Sequence, residues 1–298
     1  MKMKLSIYQV FVKTFLLLAI FTFCMSNVRS KIIRVSDIKE KDGYLIGGGY
    51  KVKLIPEPKQ FITGFSLEHD DRELLPGFQL TGKPLMGIQG MRFSFSNPST
   101  QTSADIRLAV YPSVRKAQES ALLYFNSMAA VWTPGVKNGA EIGDSRWYRE
   151  LDKDSHISFL RNNVFVEVLV GGKGYSASAE VAQVIDHALF LGTGGVQLGS
   201  TPPSLIQSIE LPEQMHVGEE ATIRIHPRII NNRPPKYYFM EHNEFSSLHR
   251  FGEYHREKID NGEFGYKATI IGKEKMLIYV YDEDCRVSWE VKEIEIVP

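Results

Sequence analysis

Cysteine is almost absent from this chain, with Cys24 and Cys285 the two in 298 residues. A chain of this length with so few thiols is held together by apolar cores, not by a disulfide framework. An excess of either charge is lacking too, because 35 Lys and Arg balance 35 Asp and Glu. The first thirty residues hold Lys2, Lys4, Lys13 and Arg29 and no acid, so the remainder carries 31 basic against 35 acidic residues. That slight acidity leaves no electrostatic footprint for nucleic acid or an anionic lipid surface. A spanning helix needs ~20 apolar residues, and extending the uncharged run 14–25 to that length takes in Lys13 and Gln9.

That run has a meaning of its own. Lys2, Lys4 and Lys13 lead into it and polar residues 26–30 follow, which is the order of a secretory signal peptide over residues 1–30. Small residues at the −3 and −1 positions favour cleavage after Ser30, with Val28 at −3, and Ser26 is the second choice. Left uncleaved, the segment would anchor the chain. Cys24 raises a lipoprotein alternative, but Phe23 stands where a lipobox wants a small residue. The expected location is therefore secreted or periplasmic, with no membrane span after cleavage. Cys285 would then be the one thiol, and the charge of Asp282, Glu283 and Asp284 disfavours its thiolate.

From Ser113, apolar residues fall at Val114, Ala117, Ala121, Phe125, Met128 and Trp132, a spacing of three and four that predicts a helix stopped by Thr133-Pro134-Gly135. A second helix is predicted over 178–191, with Val181, Val184, Ile185, Ala188 and Leu189 on one side and Gly192 beyond its end. Residues 105–111 and 145–151 read as strands, and 156–161 and 164–170 flank Asn162-Asn163, which suits a two-residue hairpin turn. Upstream, 44–55 and 90–96 also read as strands, Gly47-Gly48-Gly49 marks a bulge or bend, and 59–87 stays unassigned. The order predicts an α+β domain over 31–191, an antiparallel sheet with two helices on one face. Segment 192–204, rich in Gly and Pro, reads as a linker. Beyond it, short runs at 205–211, 221–226, 236–240, 266–271, 276–281 and 288–297 predict an all-β sandwich over 205–298.

Val217-Gly218-Glu219-Glu220-Ala221-Thr222-Ile223-Arg224-Ile225, and later Tyr266-Lys267-Ala268-Thr269-Ile270-Ile271-Gly272 ahead of 276–281, resemble the early and late strand motifs of bacterial immunoglobulin-like domains. The resemblance covers the last third of the chain and implies an immunoglobulin-like sandwich. It lacks a Cys pair, and Trp289 sits near the last strand. Ile142-Gly143-Asp144, Ile157 to Val166 and Ala182 to Asp186 resemble uncharacterised α+β modules of secreted bacterial proteins, a likeness that brings no activity with it.

Candidate sites are few. Gly171, Gly172, Lys173 and Gly174 join a strand to a helix, where free N–H groups can hold an anion, but P-loop spacing is missing and a plain turn is the alternative. His242, His249 and His255 cluster beside Glu241, Glu244 and Glu253 at gaps that match no usual zinc spacing. Asp144, Ser145 and His156 are close in sequence, yet no Gly-x-Ser-x-Gly elbow joins a nucleophile to a base. Asp186 and His187 read as solvated helix surface, and Asp70-Asp71 and Asp282-Glu283-Asp284 as exposed charge runs. Trp132 and Trp147 read as core. Alternation in Tyr237-Tyr238-Phe239 makes Tyr238 an exposed aromatic and a candidate binding contact.

No cofactor, metal or catalytic residue is assigned. The expected function is non-enzymatic binding at the cell envelope, to an envelope protein or polysaccharide, with the ligand face on the α+β domain. The alternatives are a secreted hydrolase with the sandwich as an accessory, and a structural envelope component.

Overall fold

A computed structural model describes residues 34–66, 75–82, 85–87, 90–127, 131–135, 141–149, 155–172, 178–242 and 262–298. After a 3-10 turn at Val35–Asp37, strands β1 (Lys39–Lys41), β2 (Tyr44–Gly47) and β3 (Tyr50–Lys53) form an antiparallel meander. Gly48 and Gly49 both take positive φ between β2 and β3, so the glycine run makes a tight turn. The chain continues through β4 (Phe61–Phe65), β5 (Gln79–Leu80), β6 (Leu85–Gly87), β7 (Gly90–Asn97), β8 (Thr102–Val110) and helix α1 (Val114–Ser127). Then come β9 (Trp132–Pro134), β10 (Ser145–Arg149), β11 (His156–Arg161), β12 (Val164–Gly172) and helix α2 (Ser178–Leu191).

Eight of these strands build one antiparallel sheet in the order β5-β7-β8-β12-β11-β10-β9, with β6 also on β7. The hairpin between β11 and β12 forms as spaced, Arg161 opposite Val164 and Asn162 at φ 57°. Val164, Val166, Val168 and Val170 share one face with Ile106, Leu108 and Phe159, and α2 lays Val181, Ile185, Ala188 and Leu189 on it. Phe165 and Leu160 point the other way, where α1 packs Ala117, Ala121, Leu122 and Phe125 with Trp132 and Trp147. The helices therefore cover opposite faces, which corrects the expectation that both cover one. A sheet buried on both sides shows apolar residues at odd and even positions alike, so alternation cannot say which side a helix takes.

Two boundaries also shift. Helix α1 is described to Ser127, and Trp132 opens β9 opposite Arg149 instead of closing the helix. Within 192–204, read as a linker, β13 (Val196–Gly199) pairs with β4 and belongs to the folded body.

The C-terminal strands are β14 (Ile206–Glu210), β15 (Gln214–His216), β16 (Glu220–Pro227), β17 (Tyr237–His242), β18 (Glu263–Lys267), β19 (Gly272–Tyr281) and β20 (Val287–Val297). They make two sheets, β14-β16-β18 and β15-β20-β19-β17, packed face to face. Ile223, Ile225, Phe264 and Tyr266 of the first meet Met215, Tyr238, Met240, Met276, Ile278, Val280, Ile294 and Ile296 of the second.

The outer face of the four-stranded sheet is apolar as well. Phe239, Leu277, Tyr279, Tyr281, Val287 and Trp289 join the cluster that holds α1, Leu45 and Val52. Helix α1 is thus a shared layer between the large sheet and the sandwich. Lys116 Nζ lies 3.4 Å from the Trp289 ring centroid, and Trp289 Nε1–H donates to Ser120 Oγ at 3.2 Å. Among the described residues, no helix is long and apolar enough to cross a membrane.

Candidate functional site

The turn 282–286 between β19 and β20 reaches into the N-terminal part. Val110 N–H donates to Cys285 O and Phe65 N–H to Asp284 O, each at 2.9 Å. Cys285 takes φ 59° and lies buried in the core beneath α2. Asp282 and Asp284 are buried too, which corrects their reading as an exposed charge run. One arginine of the turn pairs with both, and Arg233 approaches Asp284 from outside it. Arg286 donates through Nε to Asp282 Oδ2 at 2.6 Å and through Nη2 to Asp284 Oδ2 at 3.2 Å. Asp282 Oδ1 also accepts the Asp284 and Arg286 N–H groups at 3.0 and 3.1 Å. Burial still lifts the Asp282 carboxyl above its ordinary value, with Arg286 opposing. Burial, reinforced by Asp282 and Asp284, drives the Cys285 thiol well up, so this cysteine is inert in the folded chain.

Beside this turn a cleft of about 270 Å³ opens at the seam, lined by Ser66, Gln197, Asn231, Arg233 and Asp284. Ser66 follows β4 and Gln197 stands on β13, so the N-terminal part supplies one wall. The sandwich supplies the other through Asn231, Arg233 and Asp284. Gln197 is opposite Gly64 in the β4–β13 pair, and a Cβ at Gly64 would lie 3.0 Å from Gln197 Oε1 and 3.2 Å from Asp284 Cβ. Gly195, at φ +86°, would carry a Cβ only 1.8 Å from Ser66 O, so glycine alone lets the chain pass there. On the other wall, Asn231 and Asn232 turn at φ 54° and 59° while Ile230 and Arg233 exchange backbone hydrogen bonds. Arg233 Nη1 then stands 3.6 Å from Asp284 Oδ1. The Gln197 and Asn231 side-chain amides make no hydrogen bond among the described residues.

A second polar centre is closed. Glu167 of β12 is buried on the α1 face and accepts hydrogen bonds from the Tyr124 hydroxyl and from Arg107 Nη1 at 2.8 Å, with His156 Nε2 at 2.5 Å. Burial pushes the Glu167 carboxyl up, but His156, Arg107 and Tyr124 together hold it below its ordinary value. Burial and the Glu167 charge raise Tyr124 well above the usual phenol range. His156 Nδ1 and Trp132 Nε1 are buried without a hydrogen-bond partner among the described residues, their rings edge-to-face at 4.9 Å. Nothing in the sequence marked this centre, because β8, α1, β11 and β12 each contribute one residue.

The residues singled out from sequence fall elsewhere. Tyr238 is buried inside the sandwich, its hydroxyl donating to Pro235 O at 3.2 Å, which corrects its reading as an exposed contact. Alternation does separate it from Tyr237 and Phe239, but these face the apolar seam and not solvent. Gly171 and Gly172 close β12 opposite Ser103 and Thr102. Gly172, at φ +113°, would carry a Cβ 2.3 Å from Gln101 O, so close packing demands glycine there. Lys173 and Gly174 lie outside the described residues, as do His249, His255, Glu244, Glu253 and Asp70-Asp71. Ser145 pairs with Leu160 and His156 with Leu169, which puts Ser145 four residues, about 13 Å, along the sheet from the position beside His156. Asp144 is committed to Arg161 and the Asn162 N–H, at 2.9 and 2.6 Å. Asp186, read as solvated surface, is buried in a two-point pair with Arg161, both contacts at 2.6 Å.

No family model matches the chain, and no curated protein matches it. Among solved structures, it is similar to fibronectin(III)-like modules of Clostridium thermocellum CbhA, at 10% identity over 53% of this chain and 63% of that one, TM-score 0.23. It is also similar to the extracellular domain of a protein from B. thetaiotaomicron described as a one-component system, at 7% identity over 84% of this chain and 27% of that one, TM-score 0.24. The chain spans less than two thirds of either, and at such TM-scores the likeness carries no argument.

Proposed function

We propose that this chain is a secreted or periplasmic, non-enzymatic binding protein of the cell envelope whose ligand enters the seam cleft. On this reading residues 1–30 are a signal peptide removed after Ser30, and 31–191 form the α+β domain. Segment 192–204, whose strand β13 pairs with β4 of that domain, leads into an immunoglobulin-like sandwich over 205–298. The observation that carries the reading is the cleft itself: two parts locked together by α1 and the 282–286 turn line it with two exposed amides, bonded to no described residue, and with exposed Arg233 beside buried Asp284. Binding sites favour such junctions between domains. It also moves the ligand from a face of the α+β domain to the seam. The hydrolase alternative loses its named residues, since Ser145 and His156 do not converge. A structural role is favoured by one observation, Ile270 and Ile271 exposed at the end of the sandwich away from the seam.

The test is retention. The protein from Lys31 to Pro298 is immobilised beside a Gln197→Ala, Asn231→Gly double variant, glycine keeping the turn's positive φ, and challenged with solubilised envelope protein and with polysaccharide fractions. The reading expects one fraction to be retained by the parent and released by the variant. Equal retention by both removes the cleft from the account.

A further inference from the structure

We infer that the seam cleft takes an uncharged, polyhydroxylated ligand, a single sugar residue free or at the end of a longer chain. The inference rests on the binding reading above and names its chemistry. Size comes first: pockets for drug-sized ligands run roughly 300–1,000 Å³, and at about 270 Å³ this one sits just below them, room for one ring and not a chain. Charge comes second. Asp284 faces Arg233 on one side and on the other is bonded to Arg286, which it shares with Asp282, so two cations meet two anions and the cleft is neutral in sum. An anion would meet the Asp284 carboxylate, and a cation would compete with two arginines. A metal ion would find one carboxylate where hard cations need several oxygen ligands.

Hydrogen-bonding capacity comes third, and it is what the cleft has in excess. Gln197 and Asn231 each offer an exposed planar amide, a carbonyl acceptor beside two N–H donors, and neither side chain bonds to a described residue. Neighbouring hydroxyls of a sugar, each both donor and acceptor, match that plane. Asp284 Oδ1 can accept from a third hydroxyl and the Arg233 guanidinium can donate to a ring oxygen. None of the five lining residues is aliphatic or aromatic, which sets an apolar ligand aside.

The experiment titrates the protein from Lys31 to Pro298 with glucose, galactose, mannose and N-acetylglucosamine, read by calorimetry and by amide shifts. Glycine and inorganic phosphate serve as charged probes. We expect saturable binding of at least one neutral sugar. Gln197→Ala and Asn231→Gly, both at exposed positions and the second to a residue that keeps the positive φ of the turn, should each weaken it by about tenfold with the melting temperature unchanged. Saturation by glycine or phosphate, abolished in Arg233→Ala, would overturn the ligand class. So would the absence of any sugar binding up to the solubility limit. If retention of an envelope fraction still depends on Gln197 and Asn231 in that event, the cleft binds something else; if it does not, the binding reading falls with the sugar.

Discussion

At the residue scale, the Glu167 side chain is committed to three partners drawn from three other elements. Glu167→Ala takes one acceptor from half-buried Arg107 and from the buried His156 and Tyr124, and should cost about 3–5 kcal/mol in urea unfolding. The acid response follows from the same contacts. The folded carboxyl is held below its ordinary 4.5, so its stabilisation is present above that value and drains away as pH falls through the folded pKa. Stability curves of parent and variant should converge in that acid window. Tyr238→Phe, by contrast, removes one hydroxyl bond inside the sandwich, costs about 1 kcal/mol and leaves ligand retention unchanged. Local pattern spoke clearly of both residues' backbones and poorly of their roles. Strand alternation separated Tyr238 from Phe239, but which side was solvent depended on a seam made by distant residues.

At the element scale, turns join the parts. Asn163, fully buried beside the Asn162 turn, donates to Ile62 O and Tyr111 O at 2.8 and 2.5 Å and accepts the Ile62 N–H at 3.0 Å, tying β4 to the end of β8. Asn163→Ala strands those backbone groups and should cost about 3 kcal/mol, measured by chemical denaturation. The 282–286 turn does the same work across the seam. In the protein from Lys31, Cys285 should resist a thiol reagent until urea unfolds the chain, because burial and its acidic neighbours suppress the thiolate. Helix α2, the Asn162-Asn163 hairpin and most sandwich strands were legible because periodicity and turn residues are local signals. The end of α1, the strand within 192–204 and the buried 282–286 turn were not. Each depends on a partner more than eighty residues away or on packing that pattern alone does not encode.

At the scale of the whole molecule, α1 belongs to two layers at once, and the apolar seam has no solvent-facing side to give up. The two parts should therefore unfold in one transition, with calorimetric and van't Hoff enthalpies in agreement. Trp289→Ala, which empties the contact with Ser120 and Lys116, should lower the midpoint and begin to separate the parts. The cleft exists only because this seam is fixed, and for that reason no single motif announced it: Ser66, Gln197, Asn231, Arg233 and Asp284 come from four stretches of chain. The measurement that tests the account most directly is envelope-fraction retention by the parent protein against the Gln197→Ala, Asn231→Gly variant at matched stability. The account predicts retention by the parent and its loss in the variant. Equal retention by the two would contradict it.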